Sequence, residues 1–232
     1  MCNAICTAAT SDWVDKHLVR WRRYMEKYNP DWDCYLYHIG QDFEGQFPGF
    51  SEKFVKVIEL DPDGRRLFNR CRMSATTHFD VPQIVWMDCD CDVIGSLDDM
   101  TDGLHPKATL ACVQSPAMHK DWRVVAEKHG FDDGVEYNNG LLWMSEDWGE
   151  RYDVAFKAME GEASPRIEGT IAFNAMLATN DGWGEIDYKY STIWWDVASF
   201  VGARAIQYCN DKGQAKRVML EEEYRDSVKV AQ

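Results

Sequence analysis

No apolar run in this chain approaches the ~20 residues that a membrane-spanning helix needs, so no transmembrane segment is expected. The opening stretch, MCNAICTAATSDW, has no basic segment followed by an apolar one. It reads as a first strand and not as a secretory leader. Cations are short as well: 25 Lys and Arg stand against 39 Asp and Glu, for a formal net charge of -14. Such a surface repels phosphate backbones and anionic headgroups, which argues against nucleic acid and anionic membrane as partners. An anionic small ligand would need local arginines or a bound cation. No pair of Cys-x-x-Cys motifs occurs among the 8 cysteines, so a structural zinc site is not expected. Several of these cysteines lie inside apolar runs and read as buried free thiols, which points to a reducing compartment and a cytoplasmic location. Low-complexity segments and internal repeats are absent too.

What is present is the material of a globular domain. The chain has 232 residues, 45% of them hydrophobic and 13% aromatic, enough for one domain with a sizeable core. NAICTAAT reads as a strand. In SDWVDKHLVRWRRYMEKY, Val14, Leu18, Trp21 and Tyr24 or Met25 recur at helical spacing, with Ser11 or Asp12 as the cap. CYLYHIG and KFVKVIEL are two more strands, and GRRLFNRCRMSATTHF is a helix. QIVWM has no polar alternation and reads as a central strand covered on both faces. ATLACVQS is a strand, YNNGLLWMS a tight turn feeding a strand, EGTIAFNAMLATN a helix, and ARAIQYC a last strand before a charged tail. Strands interleaved with helices predict an α/β domain with a largely parallel sheet. A soft internal boundary falls near residue 100.

Four Asp-x-Asp pairs occur, at 31/33, 61/63, 88/90 and 90/92. The first two flank Trp32 and Pro62 in polar segments and read as solvated turns. Only the group at 88–92 follows a buried strand, and in parallel α/β sheets ligands bind at the carboxyl ends of strands. Residues two apart on an extended chain face the same side, so Asp88 and Asp90 can converge on one hard cation such as Mg²⁺ or Mn²⁺. The plainer alternative is a solvated strand end. Just upstream, Arg65, Arg66, Arg70 and Arg72 are well placed to meet a diphosphate, or else form an exposed helix face. Asn138 and Asn139 offer amides to sugar hydroxyls, or simply tolerate a turn. Trp143, Trp148, Trp183, Trp194 and Trp195 offer faces to pyranose rings, or fill a core.

These pieces, in this order, resemble a GT-A glycosyltransferase, and most closely glycosyltransferase family 8. AATSDW is similar to the family's first strand end, and MDCDCDVIGSL to its metal-binding signature. NNGLL resembles its Asn-Ser-Gly-Val-Leu, IAFNAML its Leu-Asn helix, and QYCN its closing His-Tyr-x-Gly segment. The resemblance implies a single GT-A domain over residues 1–232, with a mixed, largely parallel sheet flanked by helices. Residues up to about 100 form the nucleotide-binding half and 101–232 the sugar and acceptor half. It implies a metal-dependent hexosyltransferase that retains anomeric configuration, moving a sugar from a UDP-sugar to a glycan or other hydroxyl acceptor. The nucleotide-sugar site would comprise Ala8, Ala9, Thr10, Asp12, Arg70, Arg72, Asp88, Cys89, Asp90, Asn138, Asn139 and Gly140. Asp88 and Asp90 would hold Mn²⁺ or Mg²⁺, joined by Gln207.

The chain departs from the family at three places. Gln207 stands where the family has a His ligand, so Asp92, Asp211 or water are the other candidates for a third ligand. The family's acidic-Gln-acidic triplet falls on Gly169, Thr170 and Ile171, which leaves Glu168 as the nearest candidate catalytic acid or base. The Lys-Pro-Trp ending is not intact, and only Lys212 and Lys216 lie near. Two rival readings are a sugar-1-phosphate nucleotidyltransferase and a catalytically inactive carbohydrate-binding protein of the same fold. The former should carry a Gly-rich basic signature near the N-terminus, which ICTAATSDW lacks.

Overall fold

Strand β1 (Ala4–Thr10) sends Cys6 and Ala8 to one face and Ile5 and Ala9 to the other, and all four are buried. β4 (Ile84–Met87) does the same with Trp86 against Val85 and Met87. Strands apolar on both faces belong inside a sheet covered on both sides. The computed structural model describes residues 3–10, 13, 17–39, 57–60, 65–116, 118–131, 134–164, 167–195 and 202–230. In it β1 and β4 are adjacent central strands of a seven-stranded sheet. The other members are β2 (Asp33–Ile39), β3 (Val57–Leu60), β6 (Leu110–Gln114), β7 (Tyr137–Met144) and β8 (Trp183–Ile186), in the order β3-β2-β1-β4-β7-β6-β8. Only β7 runs against the rest. The mixed, largely parallel α/β sheet expected from the sequence is therefore present.

Helix α1 (Val19–Tyr28) covers one face through Trp21 and Met25, with Leu18 just before it. The opposite face is covered by α2 (Arg65–Met73), α3 (Ala75–Phe79), α5 (Gly149–Ala158) and α6 (Glu168–Thr179). Between them in sequence, α4 (Lys120–His129) packs Trp122, Val125 and Ala126 on Ile171 and Ala175 of α6. The helix predicted over 64–79 is two helices. Ser74 interrupts it, donating its hydroxyl to Asp147 at 2.8 Å. The chain leaves α3 through Asp80, a left-handed residue with φ 53°. Among the described residues no helix is long and apolar enough to cross a membrane. The described cysteines are free thiols, six of them buried.

A small second sheet places the end of the chain beside the aspartates. β5 (Cys91–Val93) pairs antiparallel with β10 (Ala205–Gln207), which pairs with β9 (Thr192–Ile193). The charged tail then forms a helix, α7 (Asn210–Val230). Its buried stripe is Gly213, Arg217 and Glu221, spaced four apart. That stripe is ionic rather than apolar. Fully buried Arg217 donates to Asp92 at 2.9 Å, to the Cys89 carbonyl at 2.6 Å and to the Cys91 carbonyl at 2.8 Å. From α1, Arg20 grips the same Asp92 carboxylate at 2.7 Å, and Arg23 binds Glu221 at 2.6 Å.

Asp92 thus holds two buried guanidinium groups to one point. Breaking a buried ion pair from one side costs about 3–5 kcal/mol, because the partner charge stays desolvated. Asp92→Ala is expected to lose stability of that order in urea-induced unfolding. A loss near that of a surface substitution would mean that the network contributes little.

Candidate active site

The carboxyl ends of β1 and β4 meet where the chain order reverses, the position at which open α/β sheets bind ligands. Ala8, Ala9 and Thr10 end β1 there, the alanines buried and Thr10 half-buried. Asp12 lies outside the described residues. Asp88 follows β4, and its N–H donates to the Gly140 carbonyl at 2.8 Å, extending the ladder with β7. The chain then turns, with Cys91 N–H bonded back to the Asp88 carbonyl at 3.1 Å. Asp88 and Asp90 thus come together through a tight turn. The shared face of an extended strand, expected from their spacing, is not what pairs them. Asp92, one residue into β5, is tied to Arg20 and Arg217 and is not placed as a third ligand.

Arg72 and Arg70 part company on α2. Arg72 is buried against the Trp86 and Phe68 rings, each 4.9 Å from its guanidinium carbon. It donates to Asp88 Oδ1 at 3.0 Å and to the Asn139 carbonyl at 2.6 Å. The Trp86 indole donates to the same Oδ1 at 2.8 Å. Arg70 instead pairs with Asp153 of α5 at 2.7 Å, half exposed. Of the two arginines, the structure brings only Arg72 to the aspartates. Asp88 Oδ2 receives no donor among the described residues, and 27% of the side chain remains open.

Asn138 and Asn139 are not a turn, as expected from the sequence, but part of β7. The register between β6 and β7 shifts there, from Cys112 opposite Leu142 to Val113 opposite Asn138. The irregularity aims Asn138 across to β10, where its Nδ2 donates to Gln207 Oε1 at 2.6 Å. Gly140 sits under this group because nothing larger fits. A Cβ there would lie 2.3 Å from Gln207 Nε2 and 3.0 Å from Asp88 Oδ2. Gln207 therefore stands next to Asp88, but its amide oxygen is spent on Asn138. Among the described residues no group of three His, Cys, Asp or Glu forms a metal site. The Asp211 side chain is outside the described residues.

Two of the three positions of the expected polar triplet are closed for packing reasons. A Cβ on Gly169 would fall 2.5 Å from Asn69 Nδ2, where α6 crosses α2. Ile171 is core beneath α4. Thr170 and Ile167 reach a cavity of ≈ 540 Å³ that opens beside Asn138, Asn139 and Gln207. Glu168 does not line it; its carboxylate accepts the Gly161 N–H at 2.9 Å. Of the tryptophans considered, Trp143 and Trp148 are core, and Trp195, 46% exposed, is the one that lines the cavity. Sequence reading missed two contributors, Trp86, which binds the Asp88 carboxylate, and Arg217, which binds the Cys89 and Cys91 carbonyls. An arginine in a charged tail and a tryptophan in an apolar strand carry no signal that would single them out.

Electrostatically the turn is under load. Burial pushes both carboxyls up, and the neighbouring Asp88 charge raises Asp90 further, to about 7, against the pull of Arg217 and Gln214. Two desolvated acids side by side are tolerated where a cation can sit between them.

No protein-family model matches the sequence, and no curated protein matches it. Solved structures do. The galactosyltransferase LgtC, in complex with donor and acceptor sugar analogues, is 13% identical, with TM-score 0.70 over 90% of this chain and 87% of that one. A glycosyltransferase involved in glycosylation of the major capsid of PBCV-1 is 12% identical, with TM-score 0.58 over 96% and 100%. Mouse xyloside xylosyltransferase 1 is 9% identical, with TM-score 0.57 over 90% and 98%. At these identities the likeness establishes the fold: this is a GT-A domain.

A carboxyl whose folded pKa is raised favours the native state at low pH. That advantage is fully present below the unfolded value of 3.8 and is lost as pH rises through about 7. Asp90→Asn removes the titration. Without added metal, its melting temperature is expected to exceed that of wild type at pH 8, and the gap should close as pH approaches 4. A gap independent of pH would refute the assignment of the load to Asp90.

Proposed function

We propose that this protein transfers a sugar, most simply a hexose from a UDP-sugar, to a hydroxyl of a glycan or other acceptor. Retention of anomeric configuration is part of the proposal because the family resemblance implies it. The observation that carries the reading is the pair of adjacent carboxylates at the end of the central strand, Asp90 buried and Asp88 partly open, beside a cavity lined with amides and an exposed indole. Asp88 Oδ2 without a donor and Asp90 loaded by its neighbour fit a hard divalent cation, Mn²⁺ or Mg²⁺. Asp88 and Asp90 would hold it, and it would supply positive charge to a departing diphosphate. Neither Gln207 nor Asp92 is free to serve as a third ligand, so further positions fall to phosphate oxygens and water, as Mg²⁺ sites commonly use.

The chain's own groups account for the rest of the site. Arg72 reads as both the orienter of Asp88 and a fixed cation at the diphosphate. Stacked between Phe68 and Trp86, it reorganises little as charge develops on the leaving group. Ala8, Ala9 and Thr10 give a small-residue floor at the end of β1 for the base and ribose. Asn138, Asn139 and Gln207 present amides toward the sugar. We assign Glu168 a structural role at the start of α6, where its carboxylate holds the Gly161 loop and suits the helix N-terminus.

Two measurements test this. Incubation with a panel of nucleotide sugars and Mn²⁺ should release a nucleoside diphosphate, and Glu168→Gln should release it at near wild-type rate. In calorimetry, Asp88→Asn and Asp90→Asn should each abolish Mn²⁺-dependent UDP binding without unfolding the chain. Arg72→Ala should weaken UDP by about 1.5–3 kcal/mol more than uridine, whereas Arg70→Ala should not. Unchanged UDP affinity in both aspartate variants would sink the metal assignment.

A further inference from the structure

The cavity beside Asn138 contains one acid with no part in the arrangement above. Glu136 is 8% exposed and lies two residues before Asn138. The chain around it is fastened on both sides. Ser115 N–H donates to the Glu136 carbonyl at 2.7 Å, Trp122 Nε1 to the Val135 carbonyl at 2.8 Å, and Tyr137 N–H to Asn174 Oδ1 at 2.7 Å. One carboxylate oxygen, Oε2, accepts the His119 N–H. The other, Oε1, has no hydrogen-bond partner among the described residues, and Glu136 lines the cavity together with Trp195. Burial raises its carboxyl above the ordinary range despite the His119 N–H. Its free oxygen is not sealed in the core but opens to the cavity, where a ligand hydroxyl can complete it in place of water.

A part-exposed indole and a fixed carboxylate acceptor in one cavity suit a pyranose ring, whose C–H face packs on an aromatic while its hydroxyls donate. We infer that Glu136 is a specificity-determining residue that accepts a hydrogen bond from a hydroxyl of a neutral sugar ring held in this cavity against Trp195. The inference rests on the proposed function in taking that ring to be the donor's sugar or the acceptor. A ring carrying its own carboxylate would meet a like charge and is disfavoured.

The test titrates wild type, Glu136→Ala, Glu136→Gln and Trp195→Ala with UDP, UDP-glucose and UDP-galactose in Mn²⁺, and with lactose in the presence of UDP. Glu136→Ala and Trp195→Ala should each lower affinity for one sugar ligand by about tenfold or more, the scale of a hydrogen bond to a charged group, and leave UDP unchanged. Glu136→Gln keeps an acceptor oxygen and should recover part of the loss. A loss confined to the UDP-sugars places the donor ring in the cavity, and one confined to lactose places the acceptor there. Equal losses for UDP and its sugars, or no loss in either alanine variant, would overturn the inference. So would a wild type that binds UDP but gains nothing from any sugar. A wild type that binds no UDP at all removes the UDP-sugar reading on which the inference rests. Trp195 is exposed, so its variant keeps the test decisive should Glu136→Ala fail to fold.

Discussion

The backbone of the aspartate turn hangs from the carboxylate of Asp92. It is the anchor at which α1, the aspartate turn and the C-terminal helix are joined, through Arg20 from one side and Arg217 from the other. Arg217 also takes the carbonyls of Cys89 and Cys91. The backbone on either side of Asp90 is therefore held by a group more than a hundred residues downstream. A buried ion network of this kind adds little net stability over apolar packing. What it does supply is a fixed backbone path for two acids that would otherwise move apart.

The same division of labour explains how so acidic a protein can gather anionic groups. Arg20, Arg72 and Arg217 are all buried, and each faces an acid of the 88–92 segment. Asp92 is neutralised from within. Asp88 is neutralised on one oxygen only, and Asp90 is left charged or protonated according to its surroundings. Compensation is fullest at Asp92, and it is the free oxygen of Asp88 that lies beside Gly140.

Much of this was legible in the sequence because it depends on simple periodicity. QIVWM had no polar alternation and became a central strand; the aspartates after it lie at the ligand edge of the sheet. Other features were not legible. The buried stripe of α7 is Gly213, Arg217 and Glu221, which no apolar template detects. Arg70 and Arg72 are two residues apart on a helix, so they point apart by more than a right angle, but which one faces inward depends on α5 and its Asp153. YNNGL has the composition of a turn and is a strand, because a register shift against β6 uses the irregular backbone that Asn and Gly tolerate. Glu136 sat in an unremarkable loop, and only the Trp122 and Ser115 contacts show that the loop is rigid.

The close approach of Asn69 to Gly169 ties two distant sequence positions to one space. Asn69 fills the space that a side chain at 169 would occupy, and it also touches Asn139 at 3.5 Å. A side chain at 169 would have to move the Asn69 amide, and with it the contact to Asn139 on β7. Substitutions at 69 and 169 are therefore expected to be coupled and not additive, because the two side chains compete for one space.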